Sequence, residues 1–128
     1  MGQFTECRYG SIRAQLQVSE LKLQTATLHA YGVAEELDRS AAEGRQLSYA
    51  DRTRFKAMCC YAAQHVIDAI HVLMNLYGTD SFAESCPMQR CWPDANTAAR
   101  HAGLNVGVAL EVFGKSLFGV PGQITPLV

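Results

Sequence analysis

The chain has 128 residues, enough for one domain and too few for two of ordinary size. Its 11 basic and 12 acidic side chains leave a net charge of −1, which excludes an electrostatic drive toward nucleic acid or an anionic membrane. No apolar run approaches the ~18 residues of a bilayer span, and the opening MGQFTECRYG lacks the regions of a signal peptide, so the expectation is a cytoplasmic chain with no membrane partner.

The first predicted element is a long amphipathic helix. Ile12, Leu16, Leu23, Ala26, Ala30, Val33 and Leu37 share one seam with Ser19, and Leu21 and Leu28 widen the apolar face toward a second neighbour. Gly44 and its polar neighbours end it. Ser48 is placed to cap a second helix, with Asp51 at the third helical position, where an acidic residue completes a capping box. That helix carries two adjacent stripes. Phe55, Met58, Ala62, Val66, Ala69, Leu73 and Leu76 form one; Cys59, Ala63, Ile67, Ile70, Met74 and Tyr77 form the other. Two stripes imply neighbours on two sides, the position of a central bundle helix. Gly78 closes it as a C′ residue.

A third helical segment is expected from Pro87 to about Phe118, with Ser85 as N-cap, an offset at Pro93 and a possible split around Leu104 and Asn105. No stretch shows sustained period-two alternation, so the fold is all-α, an up-and-down helical bundle over 12–119 with a lead at 1–11 and a tail at 120–128. Five cysteines, odd in number and without a C-x-x-C pair, read as reduced, mostly buried thiols rather than a disulfide framework or a zinc site.

Within the third segment Arg90, Asp94, Thr97 and His101 recur at spacings of four, three and four, so on one continuous helix they share a face, with Asn105 at its edge. Small residues and Trp92 surround that line and allow a ligand or a second backbone to approach. Arg90 and Asp94 are spaced to pair, while Asp94 and His101 lie about 10 Å apart along the axis, too far for a catalytic dyad. The bland alternative is a solvated face. In HVIDAIH, residues 65 to 71, two histidines and Asp68 are spaced so that the carboxylate can hold one imidazole. The histidines are six apart rather than the four a chelating pair favours, so no metal is expected. His29 has no evident partner, and Tyr49 and Tyr61 read as packing residues.

The stretch YGTDSFAESCPMQRCWPDANTAARHAGLNVGVALEVFGKSLFGV resembles the C-terminal helical domain of the acyl-CoA dehydrogenase fold, nearest to its reduced-flavin-dependent aromatic and sulfur monooxygenases. The resemblance rests on Gln89 and Arg90, Trp92, Asp94, His101 with Ala102, and Phe113 with Gly114, in that order. It implies that His101 acts as a base toward a phenolic substrate, work suited to an imidazole whose ordinary pKa is about 6.5. It also implies that Arg90, Trp92, Asp94, Thr97 and Asn105 border the flavin and substrate cleft, Arg90 and Asp94 by shaping a domain junction. The cofactor implied is reduced FMN or FAD, its remaining walls coming from further domains or a flavin-domain partner chain. Members form tetramers through this domain, which implies a homo-oligomer, dimer or tetramer, acting on a small molecule. Two other classes stay open: a flavin-free enzyme using the His101 cleft for acid–base isomerisation or cyclisation of a small natural-product-like substrate, and a non-catalytic assembly or ligand-binding bundle.

Overall fold

The computed structural model describes residues 2–120, with side chains from Gly10 onward; the expected tail beyond Val120 lies outside the described residues. Four helices follow one another: α1 (Gly2–Ala42), α2 (Tyr49–Tyr77), α3 (Pro87–Ala98) and α4 (Val106–Leu117). Two short 3₁₀ turns, Gly78–Phe82 and Ala102–Leu104, stand between the later ones, and no strand occurs among the described residues. The expected all-α bundle is what forms, with α2 in its middle, against α1 on one side and α4 and α3 on the other.

The α1–α2 hairpin is antiparallel: the Ser19 hydroxyl donates to the Ala69 carbonyl at 3.3 Å, and Lys22 reaches Asp68 at 3.2 Å. Ser19, Ala26, Val33 and Ser40 are the buried residues of α1 and repeat every seven positions, the period of a helix lying along a partner. Small residues on that line let the two backbones approach, and the bulkier Leu16, Leu23 and Leu37 are displaced to its flanks. They stay exposed, although the sequence reading placed them on the core seam. On α2, Phe55, Ala62 and Ala69 form one buried line. Thr53, Cys60, Ile67 and Met74 form a second, which meets α4 and the 102–104 turn through Thr53 Oγ1 to Ser116 Oγ, 3.0 Å, and Cys60 Sγ to the Gly103 carbonyl, 3.4 Å. By length and composition α2 with its following turn is apolar enough to cross a membrane, a test that the core helix of a soluble protein passes as well.

Backbone chemistry sets the ends. Gly44 closes α1 at φ +63°, with the Arg45 N–H returning to the Ser40 carbonyl at 2.9 Å. Gly78 sits at φ +62°, ψ −143°, a region glycine alone adopts without strain. The capping box at the start of α2 is complete: the Asp51 N–H donates to Ser48 Oγ at 3.1 Å, and the Ser48 N–H and hydroxyl donate back to the carboxylate at 3.3 and 2.7 Å. The Ser48 hydrogen bonds, helped by the Arg54 and Arg45 charges, hold the Asp51 carboxyl below its ordinary value. Because that value is lowered on folding, the stabilisation is present above the unfolded value near 3.9 and is lost as pH falls through and below it. Ser48→Ala is expected to lower stability by about 1 kcal/mol at neutral pH. In urea titrations that deficit should shrink between pH 6 and pH 3; an unchanged deficit would separate the cap from the Asp51 charge.

The third segment departs most from expectation. Pro93 is accommodated inside α3, which runs past it to Ala98, and Cys86 rather than Ser85 is the N-cap. The split does occur, but ahead of His101. The His101 Nδ1 accepts the Gly103 N–H at 3.1 Å, and Asn105 Oδ1 accepts the Val108 N–H at 3.1 Å, capping α4. Both bonds serve backbone groups that a continuous helix would use itself: α3 ends at Ala98, the backbone turns away from the α conformation at His101 (ψ 136°), and the chain re-enters it at Val106.

Candidate functional site

The broken helix dissolves the single polar line. Arg90, Asp94 and Thr97 remain exposed on α3, whereas His101 and Asn105 sit on the connection after it. Arg90 and Asp94 pair at 3.8 Å with side chains 88% and 72% exposed, a solvated contact of little energetic weight. In place of the line, three segments border a half-open cavity of about 420 Å³, at which His101 and Asn105 are themselves exposed. Gln64, Ile67 and His71 enter from α2; Asn96 from the end of α3; Arg100, His101 and Asn105 from the connection to α4. His101 and Asn105 are therefore brought together, and Arg90, Asp94 and Thr97 do not line this space. Trp92 lines an adjoining cleft of about 520 Å³ with Phe82, Met74 and His71. Its ring lies 6.3 Å from Phe82 and 6.4 Å from His71, which borders both spaces.

Most side chains here are oriented by the backbone or by a neighbour. With Nδ1 accepting the Gly103 N–H, the neutral His101 ring carries its proton on Nε2. The Asn105 oxygen is occupied by Val108, so its NH₂ is the half left for a ligand. Gln64 Nε2 donates to Asp68 at 2.9 Å, which leaves its oxygen as the acceptor. Arg100 is tethered through Nη1 to the Asn96 carbonyl at 2.9 Å. Cys60, bonded to the Gly103 carbonyl, fastens the His101 turn to α2, and burial pushes the thiols of Cys59 and Cys60 up, away from the reactive thiolate.

Of the titratable residues of HVIDAIH, only His71 reaches the cavity. Asp68 binds Lys22 and Gln64 rather than an imidazole; burial pushes its carboxyl up, but those two hydrogen bonds outweigh it and hold it below the usual range. Both ring nitrogens of His65 are buried with no hydrogen-bond partner among the described residues. Sequence spacing missed Arg100 and Gln64, because it was read along one helix while the site is assembled across three segments. His71 carried a signal in HVIDAIH that pointed to no particular neighbour.

Residues 10–106 match the family described as "Acyl-CoA dehydrogenase, C-terminal domain". The chain belongs to that family. Among solved structures, the domain superposes on XiaF from Streptomyces sp., in complex with FADH2 and glycerol, at TM-score 0.88 and 37% identity, covering 92% of this chain and 30% of that one. The HsaA monooxygenase from M. tuberculosis shares the fold at TM-score 0.81 and 22% identity, over 88% of this chain and 29% of that one. A pigment production hydroxylase of Rhodococcus sp. is 26% identical over 128 residues, 93% of this chain and 33% of the relative. The oxygenase component of an FADH(2)-dependent resorcinol hydroxylase of Rhizobium sp. is 28% identical over 88 residues, 68% of this chain and 22% of the relative. The chain thus spans a third or less of the length of the proteins it matches; two of these relatives are named hydroxylases and one a monooxygenase, and FADH2 accompanies the resorcinol hydroxylase and XiaF.

Proposed function

We propose that this chain works as the C-terminal domain of a reduced-flavin-dependent monooxygenase acting on a small aromatic compound, and that His101 meets the substrate oxygen. The observation that carries the reading is the convergence of His101, Asn105, Gln64 and Arg100 on one cavity. Flavin fits this lining as one wall of its site: the Gln64 oxygen and the Asn105 NH₂ are an acceptor and a donor already oriented, which suits the alternating C=O and N–H groups of a flavin edge. Reduced flavin, when bound, supplies the electrons for oxygen insertion. The chain's own contribution is to hold the ring and its substituent and to manage one proton.

For that proton the imidazole orientation matters. As a base His101 would accept at Nδ1, the atom that now holds the Gly103 N–H, so base action requires that bond to break. As it stands, His101 presents Nε2–H and acts as a donor to the substrate oxygen, the role the geometry favours. The same reading gives the uncovered apolar face of α1, with Leu21, Leu28 and Tyr31 exposed beside grooves of about 680 and 390 Å³, to a homo-oligomer contact that sedimentation equilibrium would report.

The test is an NMR titration of the ¹⁵N-labelled chain with reduced FMN, reduced FAD and resorcinol. Saturable shifts confined to residues 64–71 and 96–106 are expected, weakened about tenfold or more in His101→Ala, with the free ring in its Nε2–H form. Shifts elsewhere, or none, would sink the assignment of this cavity. An Nδ1–H ring would return His101 to the role of base.

A further inference from the structure

The α2 wall of the cavity is tied to α1 by a short chain of hydrogen bonds. Gln64 and Asp68 stand one turn apart on α2, and the Gln64 Nε2 donates to Asp68 Oδ1 at 2.9 Å. The other carboxylate oxygen, Oδ2, accepts from the Lys22 Nζ of α1 at 3.2 Å. Gln64 has no second hydrogen-bond partner among the described residues. A carboxylate has no hydrogen to give, so the half of the Gln64 amide that faces Asp68 is its NH₂, and the oxygen is left for the cavity. The Asp68 carboxyl stays ionised around neutral pH: burial pushes it up, but the Gln64 and Lys22 bonds hold it below the usual carboxylate range. Elsewhere on the lining His101 presents Nε2–H, Asn105 its NH₂ and Arg100 its guanidinium, all donors. Asn96 has both ends in use, its Nδ2 on the Trp92 carbonyl at 2.8 Å and its Oδ1 accepting from Arg100 at 3.4 Å. His71 is placed by its ring contact with Trp92 and by no hydrogen bond among the described residues. The Gln64 oxygen is therefore the oriented acceptor of this space, and the Asp68 carboxylate is what orients it.

We propose that Asp68, anchored by Lys22, is a positioning residue for this cavity: it holds the Gln64 amide in one sense, so that a ligand is favoured if it brings an O–H or N–H donor to the α2 wall. The proposal rests on the reading of the cavity as a ligand site and adds the polarity of one wall and the residues that set it. Lys22 crosses from α1 to α2, so this polarity is a property of the helix pair rather than of α2 alone. The chemistry of position 68 makes the proposal sharp. An asparagine there has one oxygen where aspartate has two. The Lys22 ammonium, which can only donate, takes that oxygen, and the NH₂ at position 68 is turned toward Gln64. Gln64 then reverses to offer its oxygen to that NH₂ and sends its own NH₂ into the cavity. Asp68→Asn thus inverts the wall with almost no change of side-chain volume.

The experiment is an NMR titration of the ¹⁵N-labelled 128-residue chain with resorcinol and with 1,3-dimethoxybenzene, which keeps the ring and both oxygens but carries no donor. The quantity read is the ratio of the two affinities, in which the steric cost of the methyl groups is common to every variant. Asp68→Asn should lower the preference for resorcinol about fivefold, the scale of one hydrogen bond. Lys22→Met should leave it unchanged within about twofold, since the carboxylate still faces Gln64. The double variant should recover part of what Asp68→Asn loses, because no ammonium then competes for the single oxygen at position 68. A merely structural ion pair would show the opposite order, with the double variant no better than Asp68→Asn. The ligand-free spectra add a second reading: one Gln64 side-chain proton should lie downfield and exchange slowly in the wild type and in Lys22→Met, and lose both properties in Asp68→Asn. The proposal is overturned if the affinity ratio is the same in all four chains, if the double variant recovers nothing, or if the Gln64 NH₂ does not respond to Asp68→Asn. In each of those cases resorcinol still shifts residues 64–71 and 96–106, and the cavity remains the site. If neither probe shifts those residues, the reading of the cavity and this proposal fall together.

Discussion

Val112→Asp is expected to release α4 and lower stability by about 3–5 kcal/mol, the cost of an unpaired charge in a packed site. Val112 is 1% exposed, and the substantial contacts of α4 are with α2. Its buried residues are Val112 and Ala109, supplemented by the Thr53–Ser116 hydrogen bond at its far end. A carboxylate at 112 meets the α2 line of Thr53, Cys60 and Ile67, where no cationic side chain is buried among the described residues. For a domain of this size the loss corresponds to a fall in Tm on the order of 10–20 °C. Asn105 caps α4, so the same variant should loosen the His101 turn, seen as faster amide exchange at 101–108. A change under 1 kcal/mol would mean that α4 is not docked on α2 in solution.

The fold was largely legible where local chemistry and periodicity agree. Ser48 and Asp51 announced the start of α2, Gly78 its end, and the two stripes of α2 its central place; each depends on neighbours within a few residues. The side of α2 facing α4 was less visible, because Thr53 and Cys60 are not residues that hydrophobicity marks, and their burial follows from where Ser116 and Gly103 come to lie. On α1 the hydrophobic pattern puts Leu16, Leu23 and Leu37 on one core seam with Ser19, Ala26 and Val33; the small residues and Val33 are buried, joined by Ser40, while the leucines stay exposed. Close helix approach selects small residues at the contact, and hydrophobicity alone cannot separate such a contact from an apolar face left for another partner.

The site was legible in its residues and not in its geometry. His101 and Asn105 stood out by type and spacing, and the structure places both on the cavity. The shared face with Arg90, Asp94 and Thr97 depended on a helix continuing through Ala99. The side-chain bonds that end it, Gly103 to His101 and Val108 to Asn105, arise from those same two candidate residues. Their positions as caps explain both why the line breaks and why His101 and Asn105 reach a cavity that a straight helix would not have formed. Cys60 holding the Gly103 carbonyl then ties the turn to α2, so the site depends on the bundle for its geometry.

His65→Leu is expected to stabilise the domain, by about 1–2 kcal/mol, an unusual sign for a buried substitution. Both ring nitrogens of His65 are buried and find no hydrogen-bond partner among the described residues. The side chain is held instead by the edge of Tyr61, ring centroids 4.3 Å apart, and Tyr61 in turn packs on His29 at 5.6 Å. A leucine of similar volume keeps most of the packing and removes two polar atoms that gave up water without replacement. Leucine also favours the helix over histidine by a few tenths of a kcal/mol, and the gain at position 65 should exceed that difference, with Tm higher by several degrees. If His65→Leu loses stability, the imidazole contributes more through its stacking on Tyr61 than its unpartnered nitrogens cost. The aromatic chain from His29 to His65 would then be a structural clamp between α1 and α2 rather than a tolerated strain.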